Sequence, residues 1–270
     1  MNSKNEGAAS SQDDLESALA GLTSPAPADF GLRVLQHVGI PQERYDTYVR
    51  LDTDAGGLYV ACSSQAITGA MMESMVVSPA MFEELHWRRT GRTAIRSTVP
   101  FPGVRTALRT GRTRKLPIDL AGLSPNDCAV LEAVRSIPEG QLRPLTWLAR
   151  EADLDCNTKR MEAALARNPM TLIIPCHRVT YDNGTPCDAA YLPQVGRLLR
   201  DAEGIDIARL EELTRRGAVF LGSDTTYIYC HPTCAHARRI TQRHQRSFRS
   251  SQEAHQAGYR ACRSCRPATL

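Results

Sequence analysis

Residues 168–179 have the sequence Asn-Pro-Met-Thr-Leu-Ile-Ile-Pro-Cys-His-Arg-Val. The apolar run Thr171–Ile174 predicts a short buried strand that leads directly into Pro175 and Cys176. A thiol is a strong nucleophile only as a thiolate, and a neighbouring histidine is a common means of ionising it. His177 follows Cys176, but neighbours on an extended chain point in opposite directions, so a turn would have to bring them together. From these residues alone, an inert buried cysteine is the favoured interpretation.

Before this stretch, a helix is predicted to begin at Ser124. Ser124 can cap the helix, Pro125 suits its first position, and Asp127 completes a pattern similar to a capping box. An apolar stripe follows at Val130, Leu131, Val134 and Ile137. Pro138-Glu139-Gly140 then ends the predicted helix.

Two shorter helices are predicted at Leu145–Glu151 and Asn157–Arg167. The short segment between them gives helix-turn-helix spacing, which also occurs in many proteins that never touch DNA. The second helix begins with polar and basic residues at the end that could meet phosphates. These candidate DNA-binding residues are Asn157, Thr158, Lys159 and Arg160.

The N-terminal part of the chain has a different character. Residues 1–30 are predicted to form a flexible tail, with one short helix near Leu15–Leu22. After Asp46 the sequence alternates in the manner of strands and hairpins, which indicates a small sheet. A helix is predicted at Met81–Arg89, and the basic segment Arg92–Leu116 is predicted to be an irregular connection between domains.

The charge is unevenly distributed along the chain. Residues Cys230–Leu270 contain eight arginines and one acidic residue, a net charge of +7, so the remaining residues carry −3 of the total of +4. This arginine-rich end indicates either a polyanion partner or a solvated surface, and composition does not separate the two.

Four of the nine cysteines are arranged in two pairs. Cys230 and Cys234 are separated by three residues, and Cys262 and Cys265 by two. In a reducing compartment this spacing predicts tetrahedral coordination of one zinc ion per chain. A purely structural zinc module is the usual role of a four-cysteine site.

No signal for membrane insertion or secretion is visible. No apolar run approaches the ~20 residues needed to span a bilayer. The polar beginning of the chain has no basic-then-apolar signal pattern. We therefore expect a cytoplasmic protein without a membrane partner.

The stretch around Cys176 resembles the active-site signature of the O6-alkylguanine-DNA alkyltransferases. Further segments match that family at its spacing: Pro117–Leu120, Ser136–Gly140, Trp147–Arg150 and Glu203-Gly204. The resemblance covers about residues 46–204. It implies an α+β fold, with an RNase H-like N-terminal subdomain followed by a helix-turn-helix, winged-helix-like domain.

The resemblance also implies roles for individual residues. Cys176 would accept the alkyl group, His177 would help to ionise it through water, and Glu203 would orient the imidazole. Asn168 would hold the turn before the active-site segment, and Arg178 would be a structural ion-pairing residue. The second helix of the helix-turn-helix would enter the minor groove of alkylated double-stranded DNA, and the damaged nucleotide would be flipped into a pocket.

Several positions depart from the family pattern. Leu145 stands where the family has a tyrosine that acts on the rotated phosphate, and Lys159 where it has an arginine that fills the gap left by the flipped base. The family's Gly-Gly-Tyr is replaced by Cys187-Asp188-Ala189, and a lysine of the following helix by Gly196. Lysine supplies charge but not the planar stacking of arginine. These changes predict a rebuilt or eroded base pocket and slow transfer.

The C-terminal segment resembles the zinc domain of the Ada adaptive-response protein, in the residues Asp224–Cys234, Ser247-Phe248, Ala257–Arg260 and Cys262–Pro267. The resemblance implies that Cys230, the first zinc ligand, takes a methyl group from a methyl phosphotriester of the DNA backbone. Zinc keeps such a thiolate ionised at neutral pH. Methylation would remove one negative charge from the zinc centre and should strengthen DNA binding. Tyr227 departs from the family pattern.

Together these predictions describe direct-reversal repair by a single-turnover cysteine methyltransferase, expected to be monomeric. The predicted units are a tail (1–30), an N-terminal α/β subdomain (31–116), an alkyltransferase domain (117–208) and an Ada-like zinc domain (209–270). The alternatives are a lesion-recognition protein that has lost transfer chemistry and a regulator of the alkylation response. A regulator of the Ada type would need a further pair of helix-turn-helix units of roughly a hundred residues, and we expect no room for them in this sequence.

Overall fold

The computed structural model of the chain describes residues 26–267. The tail predicted at residues 1–30 and its helix near Leu15–Leu22 lie outside the described residues, apart from positions 26–30. The chain is a mixed α+β protein, as predicted. In the described part of the chain the helices are α1 (Phe30–His37), α2 (Pro79–Thr90), α3 (Val104–Arg109), α4 (Pro125–Arg135), α5 (Leu145–Glu151), α6 (Thr158–Ala166), α7 (Pro193–Ala202), α8 (Ile207–Arg215) and α9 (Ser251–Gln256).

The strands form three sheets within these residues. They are β1 (Tyr45–Thr53), β2 (Gly56–Cys62), β3 (Ile67–Met72), β4 (Thr93–Arg96), β5 (Arg143–Pro144), β6 (Val179–Thr180), β7 (Phe220–Ser223), β8 (Ile228–Cys230), β9 (Gln245–Phe248) and β10 (Arg260–Ala261). The strand orders are β3-β2-β1-β4, β10-β8-β7-β9 and β5-β6.

The predicted N-terminal sheet is present. β1 and β2 form an antiparallel hairpin, with Val49 opposite Val60, and Gly56 at the turn has a φ of 110°, which favours glycine. The prediction of an irregular segment at Arg92–Leu116 is wrong, because this segment contains β4 and α3. Pairing of β4 with β1 is parallel and depends on a partner distant in the chain, which local composition does not reveal.

The N-terminal sheet is joined to the helical part of the chain along its edge strand β3. Ala70 N donates to Pro169 O at 3.0 Å, and Thr171 N donates to Ala70 O at 2.8 Å. A single apolar core extends from Val49 of the sheet to Leu199 of α7. The segment that leads to Cys176 is therefore fixed against the sheet as well as against the helices.

The starts of α4 and α6 were predicted correctly. Ser124 Oγ accepts a hydrogen bond from Asp127 N at 3.1 Å at the beginning of α4, and Asn157 Oδ1 caps α6 by accepting from Arg160 N at 3.1 Å. The Asp127 carboxylate does not complete a capping box: it accepts from Arg167 at 3.1 Å. α5 and α6 follow one another as the predicted helix-turn-helix pair.

The predicted strand at Thr171–Ile174 is wrong. These residues form turns, in which Leu172 has a φ of 66° and Ile174 N donates to Met170 O at 2.8 Å. Ile173 and Ile174 are fully buried, so the apolar run predicted burial correctly but not the backbone conformation. Cys176 consequently begins a single turn of 3-10 helix, Cys176–Arg178, instead of ending a strand.

The C-terminal sheet carries the cysteine pairs. β8 ends at Cys230, and β10 runs parallel to it and is followed by Cys262. Along the described residues, no helix is long and apolar enough to cross a membrane.

Candidate functional site

The Cys176 thiol lies in the core and has no exposed surface. Asn168 holds it in place, because its Nδ2 donates to Ile174 O at 2.8 Å and to Cys176 Sγ at 3.2 Å. The Asn168 side-chain oxygen also accepts from Met170 N at 2.9 Å, so this one amide closes the turn before the cysteine. Burial raises the pKa of the Cys176 thiol well above its usual value, which means that ionisation requires a nearby proton acceptor.

His177, which is buried, pairs with the partly buried Glu203 and lies in the same 3-10 turn as Cys176. His177 Nε2 lies 2.6 Å from Glu203 Oε1, and Arg178 contacts the same carboxylate, with Nη2 at 2.7 Å from Oε1. Glu203 Oε2 accepts from Gly140 N at 2.9 Å. A carboxylate that accepts from Nε2–H leaves Nδ1 of the neutral ring free to accept a proton. Within the described residues, this buried Nδ1 has no hydrogen-bond partner.

The ionisation states of this pair follow from burial and hydrogen bonding. Burial lowers the pKa of His177 and outweighs the opposing effect of Glu203, so the ring is neutral at physiological pH. Burial raises the pKa of Glu203, but its contacts with His177 and Arg178 outweigh this and hold it at about 2. The arrangement is a neutral imidazole oriented by a carboxylate anion, which suits a general base.

Tyr191 is a residue that sequence reasoning missed. Its side chain is buried, its ring centroid lies 6.4 Å from that of His177, and its hydroxyl lies 3.5 Å from Ile174 O, the carbonyl to which Asn168 also donates. A bulky ring therefore occupies space beside the thiol. The only sequence signal was an aromatic residue two positions after Cys187-Asp188-Ala189.

The positions that depart from the alkyltransferase pattern have ordinary structural explanations. Leu145 is fully buried at the start of α5. Asp188 pairs with Arg200 at 2.8 Å and thereby fixes its loop to α7. A Cβ atom at position 196 would lie 2.2 Å from the Asp188 carboxylate, so glycine is required there as long as this ion pair is present.

The residues at the beginning of α6 are available to a ligand. Asn157, Thr158, Lys159 and Arg160 are all exposed. The positive end of the helix dipole and two cations meet at this surface, which suits a phosphate backbone.

The four C-terminal cysteines converge. The sulfur atoms of Cys230, Cys234, Cys262 and Cys265 all lie within 4.8 Å of one another, and all four residues are buried. Tetrahedral zinc with Zn–S bonds of about 2.3 Å would place its sulfur ligands nearly 4 Å apart, so the four thiols fit zinc. The Cys262 backbone N–H donates to Tyr229 O at 2.9 Å, which fixes the two halves of the site relative to each other.

A basic cavity of about 530 Å³ borders this cluster. Of the four cysteines, Cys230 and Cys262 line it, whereas Cys234 and Cys265 do not. Its lining also includes three arginines, Arg239, Arg260 and Arg263. The two sites therefore differ in access. Cys176 is enclosed in the core, whereas the four-cysteine cluster borders an open cavity lined by arginines.

The fold and these two sites define a helix-turn-helix protein with a buried Cys-His-Glu array, joined to a four-thiolate metal-binding domain. The family model described as 6-O-methylguanine DNA methyltransferase, DNA binding domain matches residues 125–205, and that described as metal binding domain of Ada matches residues 211–268. Two parts of the chain thus match two domain families, residues 125–205 the first and residues 211–268 the second, and the C-terminal domain binds zinc.

Several characterised proteins are similar to the chain. The methylated-DNA–protein-cysteine methyltransferase of Shigella flexneri is 28% identical over 142 residues, which are 50% of this chain and 82% of that relative. A DNA base-flipping protein of Thermus thermophilus is 36% identical over 69 residues, 26% of this chain and 46% of the relative. The crystal structure of Mycobacterium tuberculosis OGT in complex with DNA has a TM-score of 0.46 and 23% identity, and the match covers 62% of this chain and 98% of that one.

Proposed function

We propose that the protein repairs alkylated DNA by direct reversal, with Cys176 as acceptor of alkyl groups from O6-alkylguanine and Cys230 as acceptor of methyl groups from phosphotriesters. The observation that carries the first part is the buried array in which Asn168 holds Cys176 and Glu203 orients His177. The methyltransferase domain match and the similar methylated-DNA–protein-cysteine methyltransferases support the same reaction.

The geometry of this array supports the following route of transfer to Cys176. Nδ1 of neutral His177 takes the thiol proton through a bridging water, and Glu203 stabilises the imidazolium. The Cys176 thiolate attacks the alkyl carbon, the bond from that carbon to O6 breaks, and its electron pair stays on O6. The base then regains a proton from the imidazolium. The thioether has no route back to the thiol, so each molecule acts once.

DNA would be held by the exposed residues at the start of α6, Asn157, Thr158, Lys159 and Arg160. Double-stranded DNA must release the damaged base from the stack before a buried thiol can reach it. Because Tyr191 lies beside Cys176, entry of that base also requires the Tyr191 ring to move. This requirement and the loss of a tyrosine at Leu145 support slow transfer.

At the second site, Cys230, Cys234, Cys262 and Cys265 would hold one zinc ion, which keeps the thiolates ionised at neutral pH. The cavity arginines would hold the phosphate backbone beside Cys230. The Cys230 sulfur then takes the methyl carbon, the carbon–oxygen bond of the triester breaks, and an ordinary phosphodiester anion leaves. The cavity lining favours Cys230 and Cys262 over Cys234 and Cys265, and the resemblance to the Ada zinc domain, whose first ligand is the acceptor, favours Cys230 over Cys262.

The finer assignments also belong to this proposal. The N-terminal sheet would be an RNase H-like subdomain (31–116), and α4–α6 with the β5–β6 pair a winged-helix-like domain (117–208), followed by the zinc domain (209–270). The continuity of the apolar core from Val49 to Leu199 supports joint folding of the first two. A cytoplasmic monomer is the expected form.

The test is a single-turnover incubation with a duplex that contains O6-methylguanine as its only lesion. Intact-protein mass should rise by one methyl group, and peptide mapping should place it on Cys176. Cys176→Ala should abolish the gain, whereas Cys62→Ala, which removes a buried thiol of the N-terminal sheet, should retain it. An unmodified Cys176 in protein that binds the lesion tightly would establish the lesion-recognition alternative.

A further inference from the structure

The zinc domain is attached to the alkyltransferase domain by polar contacts with a single short segment and with helix α5. Leu142 N donates to Thr233 Oγ1 at 2.7 Å, and Thr233 lies between two of the cysteine ligands. The guanidinium of Arg150 donates to Arg266 O at 2.6 Å and to Pro267 O at 3.2 Å. Residues from both domains thus surround the inner side of the cysteine cluster.

Arg143 lies in this interface and is only 2% exposed. It donates from Nη1 to Leu142 O at 2.7 Å and from Nη2 to the side-chain oxygen of Gln141 at 2.7 Å, and its guanidinium lies 5.7 Å from the Trp147 ring centroid. All of these partners are neutral. The buried Nε has no hydrogen-bond partner, and Arg143 forms no ion pair with a carboxylate among residues 26–267.

A buried, permanently charged guanidinium without a counter-ion would be strongly destabilising. Leu142, the residue before Arg143, exchanges hydrogen bonds with Thr233, which directly precedes the ligand Cys234, and this places Arg143 beside the cysteine cluster. The sulfurs of that cluster offset the cost: burial lowers the pKa of Arg143, and the charges of Cys265, Cys234, Cys262 and Cys230 act in the opposite direction. Zn²⁺ with four thiolates carries a net charge of 2−, which is the anion that the guanidinium lacks.

We propose that Arg143 is the buried counter-ion of the zinc–thiolate centre, and that this electrostatic attraction helps to hold the zinc domain against the alkyltransferase domain. Arg143 thereby belongs to the zinc site in function, although it lies in the other domain and far from the cysteines in sequence.

The segment that carries Arg143 also reaches the first site. Gly140, three residues earlier, donates to the Glu203 carboxylate that orients His177. If Cys230 is alkylated as in the proposed function, the centre loses one negative charge and its attraction for Arg143 falls. The proposal itself needs no alkyl transfer, so it can be tested on undamaged protein without DNA.

The experiment measures zinc affinity by competition with a chromogenic chelator for the full chain and three variants. Arg143→Met should weaken zinc binding by at least about tenfold, because one member of a buried charge pair is removed. Arg143→Lys, which keeps the charge, should stay within about threefold of the unaltered protein. Arg150→Met removes contacts to carbonyl groups across the same interface and should also stay within about threefold. Should Arg143→Met fail to fold, Arg143→Gln supplies the neutral variant and keeps hydrogen-bond donors.

Attachment of the domain is measured on the same proteins at saturating zinc by trypsin cleavage after Arg215 and Arg216, which are exposed at the end of α8. The neutral variant should be cut faster than Arg143→Lys, since loosening of the interface exposes α8. Zinc affinity that is unchanged in the neutral variant, or lowered equally in Arg143→Lys, would overturn the counter-ion role. Reduced zinc affinity with unchanged cleavage would overturn the claim that this attraction helps to hold the domains together.

Discussion

The two cysteine sites use the same nucleophile in opposite surroundings. Cys176 is alone, wholly buried and held as a thiol by a raised pKa, and it depends on His177 to lose its proton. Cys230 shares a metal centre with three other thiols and borders an open cavity lined by arginines. Ionisation of a thiol and access to it are therefore separate requirements. The first site supplies a base but encloses the thiol, whereas the second places a buried, metal-binding thiol at the wall of a cavity.

Removal of zinc should have the largest effect, because it should stop one of the two transfer reactions and leave the other. Chelation should abolish methyl transfer from phosphotriesters to Cys230 and unfold the C-terminal domain, because its thiolates and its core depend on the metal. Transfer from O6-methylguanine to Cys176 should continue, since His177 and Glu203 do not need the metal. The measurement is peptide mapping after exposure to each lesion, with zinc restored as the control. Equal loss of both reactions would contradict the separation.

Replacement of Glu203 should affect only the enclosed site. In Glu203→Gln the amide can donate to His177 Nε2, which forces the ring proton onto Nδ1 and removes the base, so we expect transfer to Cys176 to slow by about a hundredfold. Glu162→Gln, which alters a carboxylate that accepts from Tyr181 instead, is the matched control. The measurement is the single-turnover rate of methyl transfer to Cys176 and to Cys230 in each variant. An unchanged rate at Cys176 in Glu203→Gln would exclude His177 as the base.

Enlarging the space around Cys176 should make this thiol easier to reach and so reduce the difference in access between the two sites. Tyr191→Ala removes the ring beside Cys176 and should raise the rate of transfer from a bulky O6-benzylguanine by about tenfold relative to O6-methylguanine. The cost in unfolding free energy should be about 3 kcal/mol. Tyr181→Ala, at the other end of the same loop, should not change this ratio. A ratio that Tyr191→Ala leaves unaltered would show that the ring does not limit entry.

Lowering the pH should affect the two sites differently, and the expected change in the free energy of unfolding is smaller than the effects above. The folded-state pKa of Glu203, about 2, lies below its usual 4.5. The stability that the ionised Glu203 contributes is therefore fully present above pH 4.5 and is lost as the pH falls towards 2. Between pH 6 and pH 4 we expect a loss of about 1 kcal/mol from this group. Zinc should leave at a higher pH, because protons compete for thiolates. Urea unfolding of the protein and of Glu203→Gln, followed by circular dichroism, measures the difference; identical pH dependence in both would refute the assignment.

Local signals in the sequence predicted a large part of this architecture. The cap at Ser124, the helix start at Asn157 and the convergence of the four cysteines depend on near neighbours, and the structure confirms them. The strand predicted at Thr171–Ile174 is a turn, because burial of an apolar run does not fix its backbone conformation.

The features that escaped prediction depend on packing between distant residues. β4 pairs with a strand more than forty residues earlier, Tyr191 meets the cysteine turn across a loop, and Arg143 faces thiols from another domain. No single-sequence pattern specifies such contacts, because each is defined only when the elements have assembled.

The central claim is that one chain holds two acceptors, each with its own lesion. The most direct test is a duplex that carries one O6-methylguanine and one methyl phosphotriester, incubated with excess zinc-loaded protein and sampled over time by peptide mapping. The account predicts methyl groups on Cys176 and Cys230 alone, with Cys230 modified first because its site is open. Methyl groups on Cys234, Cys262 or Cys265, or a Cys176 that stays unmodified after the base lesion is bound, would contradict it.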